Sequence, residues 1–524
     1  MNVVVWVTLA WALLLAIVCL HRNWQYNCDD EFITMRYAQH LVEGHGPRWN
    51  LDGAPVEGYS SPLHMLLLAA LALARIPMLA AARVVGFVSH AVLALFLWRF
   101  IARRNGNMAA ALVSALVVAS WPMLVWDLGG LEPTLFAATL AIGTLLTLDY
   151  IETGSQRKIL AGGTLLGLAI FVRPDGALVA AVALFACLAL GRVASLRSRA
   201  RDVALAAGAC ALVLLPWEVF RLAYYHAALP NSYYAKVYGI PLIWRVAFGL
   251  HYWRIYAKSA PFLAAMLLPT GIAVLAKRRL ASFDAGLWAC IVAYAAYVVD
   301  VGGDHMMAFR FMVPLVPLMA VALVRAIDIL NGLKTARRAA AVSLLLLLVS
   351  ARQIAPNVEN PREQDTSVLL GEAMGRYING HWAPGSLVAI NIAGTTAYFA
   401  DKLNFIDMLG INDREIAMRN PVPVDLQTVR EIGHLKGDGA SVLARRPQYI
   451  IPLGGTGPLL AKNGVGYFLS EYELARLPDF WNIYQPCELT LSTAGDAGAL
   501  LPMNFQFIYY RRRDTQSPCA IPKQ

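Results

Sequence analysis

The sequence predicts a polytopic α-helical membrane protein of about eleven transmembrane helices, followed by a soluble C-terminal α/β domain. Three observations predict this. Of 524 residues, 58% are hydrophobic and 15% charged, against about a quarter charged in a soluble domain. Mean hydropathy is +0.53. Apolar runs near the roughly 20 residues needed to cross a bilayer recur up to residue 353 and then stop. The charges between the runs are sorted by side.

Residues 3–20 form the first predicted span. With no basic stretch ahead of it and no clear small-x-small cleavage site, it reads as a retained signal anchor. Further spans are predicted near 80–101, 107–126, 133–150, 157–172, 175–191, 202–221, 257–276, 283–300, 309–329 and 338–353. The run 62–75 is short and opens with Pro62, so it is expected to be half-inserted or interfacial. The charges set that choice. Arg99, Arg103, Arg104, then Arg157 and Lys158, then Arg192, Arg197, Arg199 and Arg201, then Lys277–Arg279, then Lys334, Arg337 and Arg338 all fall on one side. The positive-inside rule makes that side cytoplasmic. Counting 62–75 as a span would move Arg103 and Arg104 outside.

The opposite side then receives 21–79, 127–132, 173–176, 222–256, 301–305 and everything from about 354. Residues 30–43 repeat at helical spacing, with Phe32, Ile33, Tyr37 and Leu41 against Glu31, Arg36, Gln39 and Glu43. They predict an amphipathic helix on the membrane surface, ended by Gly44-His45-Gly46-Pro47. Residues 233–256 suggest a second. The domains are 1–353, transmembrane with external loops, and 354–524, external and α/β. After a polar linker at Asn357–Asp365, the second has a helix near 367–380 and strands near 386–391, 403–408, 449–451 and 505–510, the last ended by Arg511-Arg512-Arg513. Cys19, Cys187, Cys210 and Cys290 read as small core residues. Cys487 and Cys519 pair if their compartment is oxidising, which spacing leaves open. The net charge of +10 sits in short loops, which argues topology and not nucleic acid.

Every unusual polar cluster falls on the external side. Asp29 and Asp30 open the amphipathic helix. Adjacent residues there point about 100° apart, so one carboxylate can cap the helix while the other acts as a general base. Glu57 and Tyr59 precede Pro62, as cavity groups or interfacial anchors. Glu132, before Pro133, reads as a cavity group or as charge favoured at a helix start, and Asp127 as a flanking charge. Arg173, Lys236, His305 and Arg310, with Asp304, are basic and acidic groups at external membrane ends. Cations there run against the topology bias, and a phosphate at the membrane surface would explain them; for Arg173, a local ion pair with Asp175 is the alternative. No phosphate loop or dinucleotide fingerprint is present, and no pattern requires a cofactor. The set suits attack of an acceptor hydroxyl on a lipid-phosphate-linked sugar, with a carboxylate taking the proton and cations stabilising the departing phosphate.

Several motifs, in order, carry a family resemblance. They are Asp29-Asp30-Glu31-Phe32-Ile33-Thr34-Met35-Arg36-Tyr37-Ala38, Leu41-Val42-Glu43-Gly44-His45-Gly46, Val56-Glu57-Gly58-Tyr59-Ser60-Ser61-Pro62-Leu63, Gly130-Leu131-Glu132, Arg173-Pro174-Asp175-Gly176, Leu229-Pro230-Asn231-Ser232-Tyr233-Tyr234-Ala235-Lys236, and Gly302-Gly303-Asp304 through Arg310-Phe311. Ile406–Asp413 and Gly433–Gly439 extend the set into the C-terminal domain. Together they resemble GT-C fold glycosyltransferases, above all the terminal β-(1→2)-arabinofuranosyltransferase-like group. The resemblance implies a polyprenyl-phosphate-sugar donor and a glycan or glycoprotein acceptor. It implies catalysis at the first external loop with Asp29 or Asp30 as base, and a C-terminal domain that helps seat the acceptor. The expected location is a bacterial inner membrane, with site and C-terminal domain periplasmic. Two departures bear on the acceptor: Glu31 stands where a small residue is expected, and Glu132-Pro133-Thr134 where Glu-Thr-Pro is. Some GT-C enzymes hold a divalent metal near these carboxylates, and three acidic residues could do so here. A flippase for a lipid-linked sugar, a protein O-mannosyltransferase-like enzyme and a non-catalytic receptor are the alternatives. No internal repeat, which a transporter favours, is visible.

Overall fold

The computed structural model describes residues 1–193, 195–259, 281–353, 366–422, 432–456, 459–460, 468–493, 504–517 and 519–520. The span predicted at 257–276 lies, beyond Ser259, outside the described residues, as do Lys277–Arg279 and the linker 357–365.

The membrane body contains α1 (Asn2–Asn23), α2 (Asp29–Val42), α3 (Pro62–Leu73), α4 (Met78–Asn105), α5 (Asn107–Val118), α6 (Trp121–Leu128), α7 (Pro133–Thr153), α8 (Gln156–Val172), α9 (Gly176–Leu190), α10 (Leu196–Tyr224), α11 (Asn231–Lys236) and α12 (Leu242–Ser259). Helices Ser282–Asp300, Leu315–Ile329 and Ala336–Gln353 follow. Among the described residues, five helices are long and apolar enough to cross a membrane: α1, α4, α7, α10 and Ser282–Asp300. The run predicted as one span at 107–126 is instead two helices, α5 and α6, bent by 49°. Pro122 opens the second, where its missing N–H costs nothing. Other predicted spans correspond to shorter helices: 17 residues for α8, and 15 each for α9 and Leu315–Ile329.

α7 is the central post, buried along most of its length. α8 packs beside it through glycines. A Cβ at Gly162 would strike Thr147 of α7, and one at Gly163 or Gly167 the main chain of α10. Small residues thus let three backbones approach closely, which substitutes for the hydrophobic drive that lipid removes. Asp127 does not flank a helix start. It is fully buried, 2.6 Å from His90 Nδ1 of α4.

The C-terminal part forms a five-stranded sheet in the order β2-β1-β3-β5-β4. β1 (Leu387–Ile390) lies parallel between β2 (Asn404–Asp407) and β3 (Tyr449–Ile451). β4 (Tyr484–Ser492) and β5 (Asn504–Arg512) add an antiparallel edge. β4 was not predicted. Pro486 interrupts its run, and proline in a sheet is confined to places such as the edge where β4 sits. β5 continues through Arg512 because Arg511 and Arg512 pair with Gln485 and Tyr484. A Cys487–Cys519 disulfide ties β4 to the segment after β5.

The predicted amphipathic helix exists as α2, but it does not lie bare on the membrane surface. It is sandwiched: Glu31 and Arg36 of its polar side are buried, while Gln39 is half-buried and Glu43 exposed. Arg36 shows why. Fully buried, it donates to the carbonyls of Trp49 (2.7 Å), Leu403 (3.1 Å) and Ala397, and stacks on Phe405. Asn50 pairs with the N–H (2.9 Å) and C=O (2.7 Å) of Phe405, satisfying the outer edge of β2. The sheet therefore rests on α2 and the loop that follows it.

Candidate active site

The two aspartates at the start of α2 diverge as adjacent helical positions must. Asp29 turns to the C-terminal part. Its carboxylate accepts from Gly394 N (3.1 Å), Thr395 N (2.8 Å) and Thr395 Oγ1 (2.7 Å). A Cβ at Gly394 would collide with that carboxylate and its main chain, so glycine is required for the approach. Asp30 turns the other way, into a cavity of about 410 Å³. There Lys236 Nζ stands 3.7 Å from its carboxylate. Glu31 is buried at Gly130, whose φ is 77° and where a Cβ would overlap the Glu31 carboxylate. The three acidic groups thus point to three places. Among the described residues no three His, Cys, Asp or Glu side chains converge as a metal-ligand group.

The cavity is lined by Asp30, Tyr59, Glu132, Arg173, Lys236, Asp304, His305 and Arg310. Of the ten predicted residues, only Asp29 and Glu57 lie outside its lining. Glu57 is buried against α10, accepting from Arg221 Nε (2.6 Å) and Trp217 Nε1 (3.3 Å). Arg221 was missed in the sequence. An arginine in the last turn of an apolar run was the available signal.

The cations are held by carboxylates. Arg173, just past α8, bonds Glu132 Oε1 at 2.7 Å and Asp175 Oδ1 at 3.0 Å, so the local ion pair expected with Asp175 forms together with a longer-range one. Tyr294 donates to the other Asp175 oxygen at 3.0 Å. Arg310 Nε bonds Asp304 Oδ2 at 2.7 Å, and among the described residues its two terminal nitrogens have no partner. Burial raises the Glu132 pKa, but Arg173, Arg310 and His64 outweigh it and hold the group below its ordinary value. Burial likewise opposes the Asp304 anion, and Arg310, His305 and Lys236 overcome it. Arg310 is aimed by an unusual backbone. Ala308 and Phe309 both have positive φ (53° and 49°), a conformation costing of order 1–3 kcal/mol per residue. Both are buried, and Trp126 Nε1 bonds Ala308 O at 3.3 Å.

Two groups from the C-terminal part, Ile411 and Gly433, also line the cavity. The loop carrying Ile411 is clasped. Asn231 Nδ2 donates to the carbonyls of Gly410 (2.8 Å) and Ile411 (3.0 Å), and Tyr37 OH to Asn412 Oδ1 (3.1 Å). Buried Asp407 holds the loop from inside through Leu409 N (3.0 Å) and Asn412 N (2.8 Å). His434 faces His305 with ring centroids 4.9 Å apart.

Residues 353–497 match a family described as a domain of unknown function (DUF8728). No curated protein matches the chain in sequence. Solved structures do match in fold. ArnT from Cupriavidus metallidurans, bound to undecaprenyl phosphate, aligns with a TM-score of 0.52 at 13% identity over 78% of this chain and 86% of that one. The archaeal oligosaccharyltransferase AglB from Archaeoglobus fulgidus, in complex with an inhibitory peptide and a dolichol-phosphate, aligns at 0.51 and 11% identity over 85% and 69%. The arabinosyltransferase EmbB from Mycobacterium smegmatis aligns at 0.40 and 16% over 62% and 30%, too loosely to bear on the sugar. The protein has the GT-C fold shared by these membrane glycosyltransferases.

Proposed function

We propose that this protein is a membrane glycosyltransferase that moves a sugar from a polyprenyl-phosphate donor to a hydroxyl of a glycan or glycoprotein, at the external end of its membrane body. One observation carries the reading. Asp30 reaches the cavity beside a cation, while Arg173 and Arg310 are fixed across the same space by buried carboxylates. The bound polyprenyl and dolichol phosphates of ArnT and AglB support the donor class. The ordered motifs support arabinofuranose as the sugar and the periplasmic face of a bacterial inner membrane as the place.

Asp30 takes the acceptor proton as the new bond to the anomeric carbon forms and the carbon–phosphate oxygen bond breaks. Four carboxylates (Asp30, Glu132, Asp175, Asp304) and three permanent cations (Arg173, Lys236, Arg310) line the cavity. The donor phosphodiester leaves as a phosphate with one more negative charge. Protonation of Asp30 removes one negative charge at the same moment, so the balance of the site is kept. Lys236 and the terminal nitrogens of Arg310 are the donors that meet the leaving phosphate. Glu132 and Asp304 serve as positioning residues that keep the arginines in place.

The test is a donor panel of polyprenyl-phosphate pentoses and hexoses beside nucleotide sugars, given to the purified full chain in nanodiscs. Transfer is expected from a polyprenyl-phosphate sugar without nucleotide. Transfer only from a nucleotide sugar would reject the reading.

A further inference from the structure

A second cavity, of about 430 Å³, lies at the other end of the membrane body between α4, α7 and α8. α7 begins beside Glu132 of the first cavity and reaches Asp149 of the second 17 positions later, which at 1.5 Å per residue is about 25 Å. The two cavities are thus separated by roughly one hydrocarbon thickness, about 30 Å.

Its lining changes character along α4. Val92, Leu95 and Phe96 form an apolar wall, and Val92 and Leu95 are half exposed to the surrounding membrane, at 51% and 55%. One turn further, the same helix face presents Arg99 and then Arg103, since positions three and four apart share a face. The back of the cavity is a rigid clamp. Arg104 pairs with Asp149 and Glu152, and its guanidinium lies 4.5 Å over the Phe283 ring. Lys158 takes the other Asp149 oxygen. Both Asp149 oxygens and Glu152 are taken up by that clamp. Arg99 and Arg103 have no carboxylate partner among the described residues.

We propose that this cavity is a binding site for an acidic phospholipid, its phosphodiester between Arg99 and Arg103 and one acyl chain along Val92, Leu95 and Phe96. Arginines at a membrane end commonly snorkel to water as topology anchors. Two features go beyond that role. The pair stands over a concavity closed by α7 and α8, not on a convex helix surface. The apolar wall and the uncompensated charge are also in sequence along one helix, in the order of a lipid's chain and headgroup. Guanidinium groups one turn apart can fork the same phosphate, and basic pockets between membrane helices on the cytoplasmic side are recurrent sites for anionic headgroups.

The experiment is native mass spectrometry of the detergent-purified full chain titrated with phosphatidylglycerol, phosphatidylcholine or inorganic phosphate. The wild type is expected to retain phosphatidylglycerol at least tenfold more tightly than phosphatidylcholine, and inorganic phosphate should not displace it. Arg99→Ala with Arg103→Ala should abolish that preference. Arg157→Ala with Arg337→Ala removes the same charge from exposed basic residues outside the cavity and should change retention less than twofold. Leu95→Trp fills the apolar wall, keeps every charge, and should also release the lipid. Equal losses in both arginine doubles would overturn the site, as would unchanged retention in Leu95→Trp. Displacement by inorganic phosphate would overturn the lipid and leave a free-anion site.

Discussion

Asp29 and Asp30 are neighbours in sequence but make opposite predictions. Asp29 is buried and accepts three hydrogen bonds from residues 394 and 395. In Asp29→Asn one carboxylate oxygen becomes an NH₂ group facing the Gly394 N–H, and the remaining acceptor is neutral. Hydrogen bonds to charged groups contribute about 1.5–3 kcal/mol each, and an unsatisfied buried donor costs about 1–3. The variant should lose about 2–4 kcal/mol of stability. Its transfer rate, measured where it is still folded, should stay within tenfold of wild type. Asp30→Asn removes only a 3.7 Å ion pair whose ends are 27% and 28% exposed, so its stability should change by less than about 1 kcal/mol. As the general base, Asp30 should contribute about 10²–10⁴ in kcat, or roughly 3–5 kcal/mol of barrier. The assay pairs single-turnover transfer from a polyprenyl-phosphate sugar with denaturant unfolding of the same preparations. A stable but inactive Asp29→Asn beside an active Asp30→Asn would refute the reasoning.

Three further outcomes follow from the same geometry. Arg310→Lys keeps a charge but loses the two terminal nitrogens beyond the Asp304 bond, so kcat should fall about 10–100-fold with little change in KM. His40 is buried, and burial reinforced by Arg36 lowers its pKa from 6.5 to about 4. Its neutral form is favoured on folding, so this stability is full above pH 6.5 and is lost as pH falls toward 4. The loss should reach about 3 kcal/mol, seen as a pH slope of the unfolding midpoint that disappears in His40→Gln. Reducing Cys487–Cys519, which closes a separation of 32 residues, should destabilise the C-terminal sheet by about 3–4 kcal/mol, read by denaturant unfolding with and without reductant.

The legible part of this molecule was what composition and charge impose locally. Pro62 and the arginines at 103 and 104 were enough to keep α3 from being counted as a span, and α3 is 12 residues long. Eight of the ten residues singled out from external polar clusters meet in one cavity. What stayed hidden depends on distant packing. Which aspartate faces the cavity is decided by Gly394 and Thr395, 365 and 366 positions away from Asp29. The polar side of α2 looked like a solvated face because nothing local announces that Ala397 and Leu403 will cover Arg36. Glu57 looked like a cavity group because its partner Arg221 is 164 positions away. The bend between α5 and α6 had a local sign, Pro122, inside a run whose hydropathy is continuous.

The proposed reaction consumes a lipid-linked sugar at this cavity. The most direct measurement is mass-spectrometric counting of both products in a single turnover of the purified chain. Equal amounts of glycosylated acceptor and free polyprenyl phosphate are predicted, with both formed about 10²–10⁴-fold more slowly by Asp30→Asn. Movement of intact lipid-linked sugar across the bilayer, with no polyprenyl phosphate released, would contradict the account and identify a transporter.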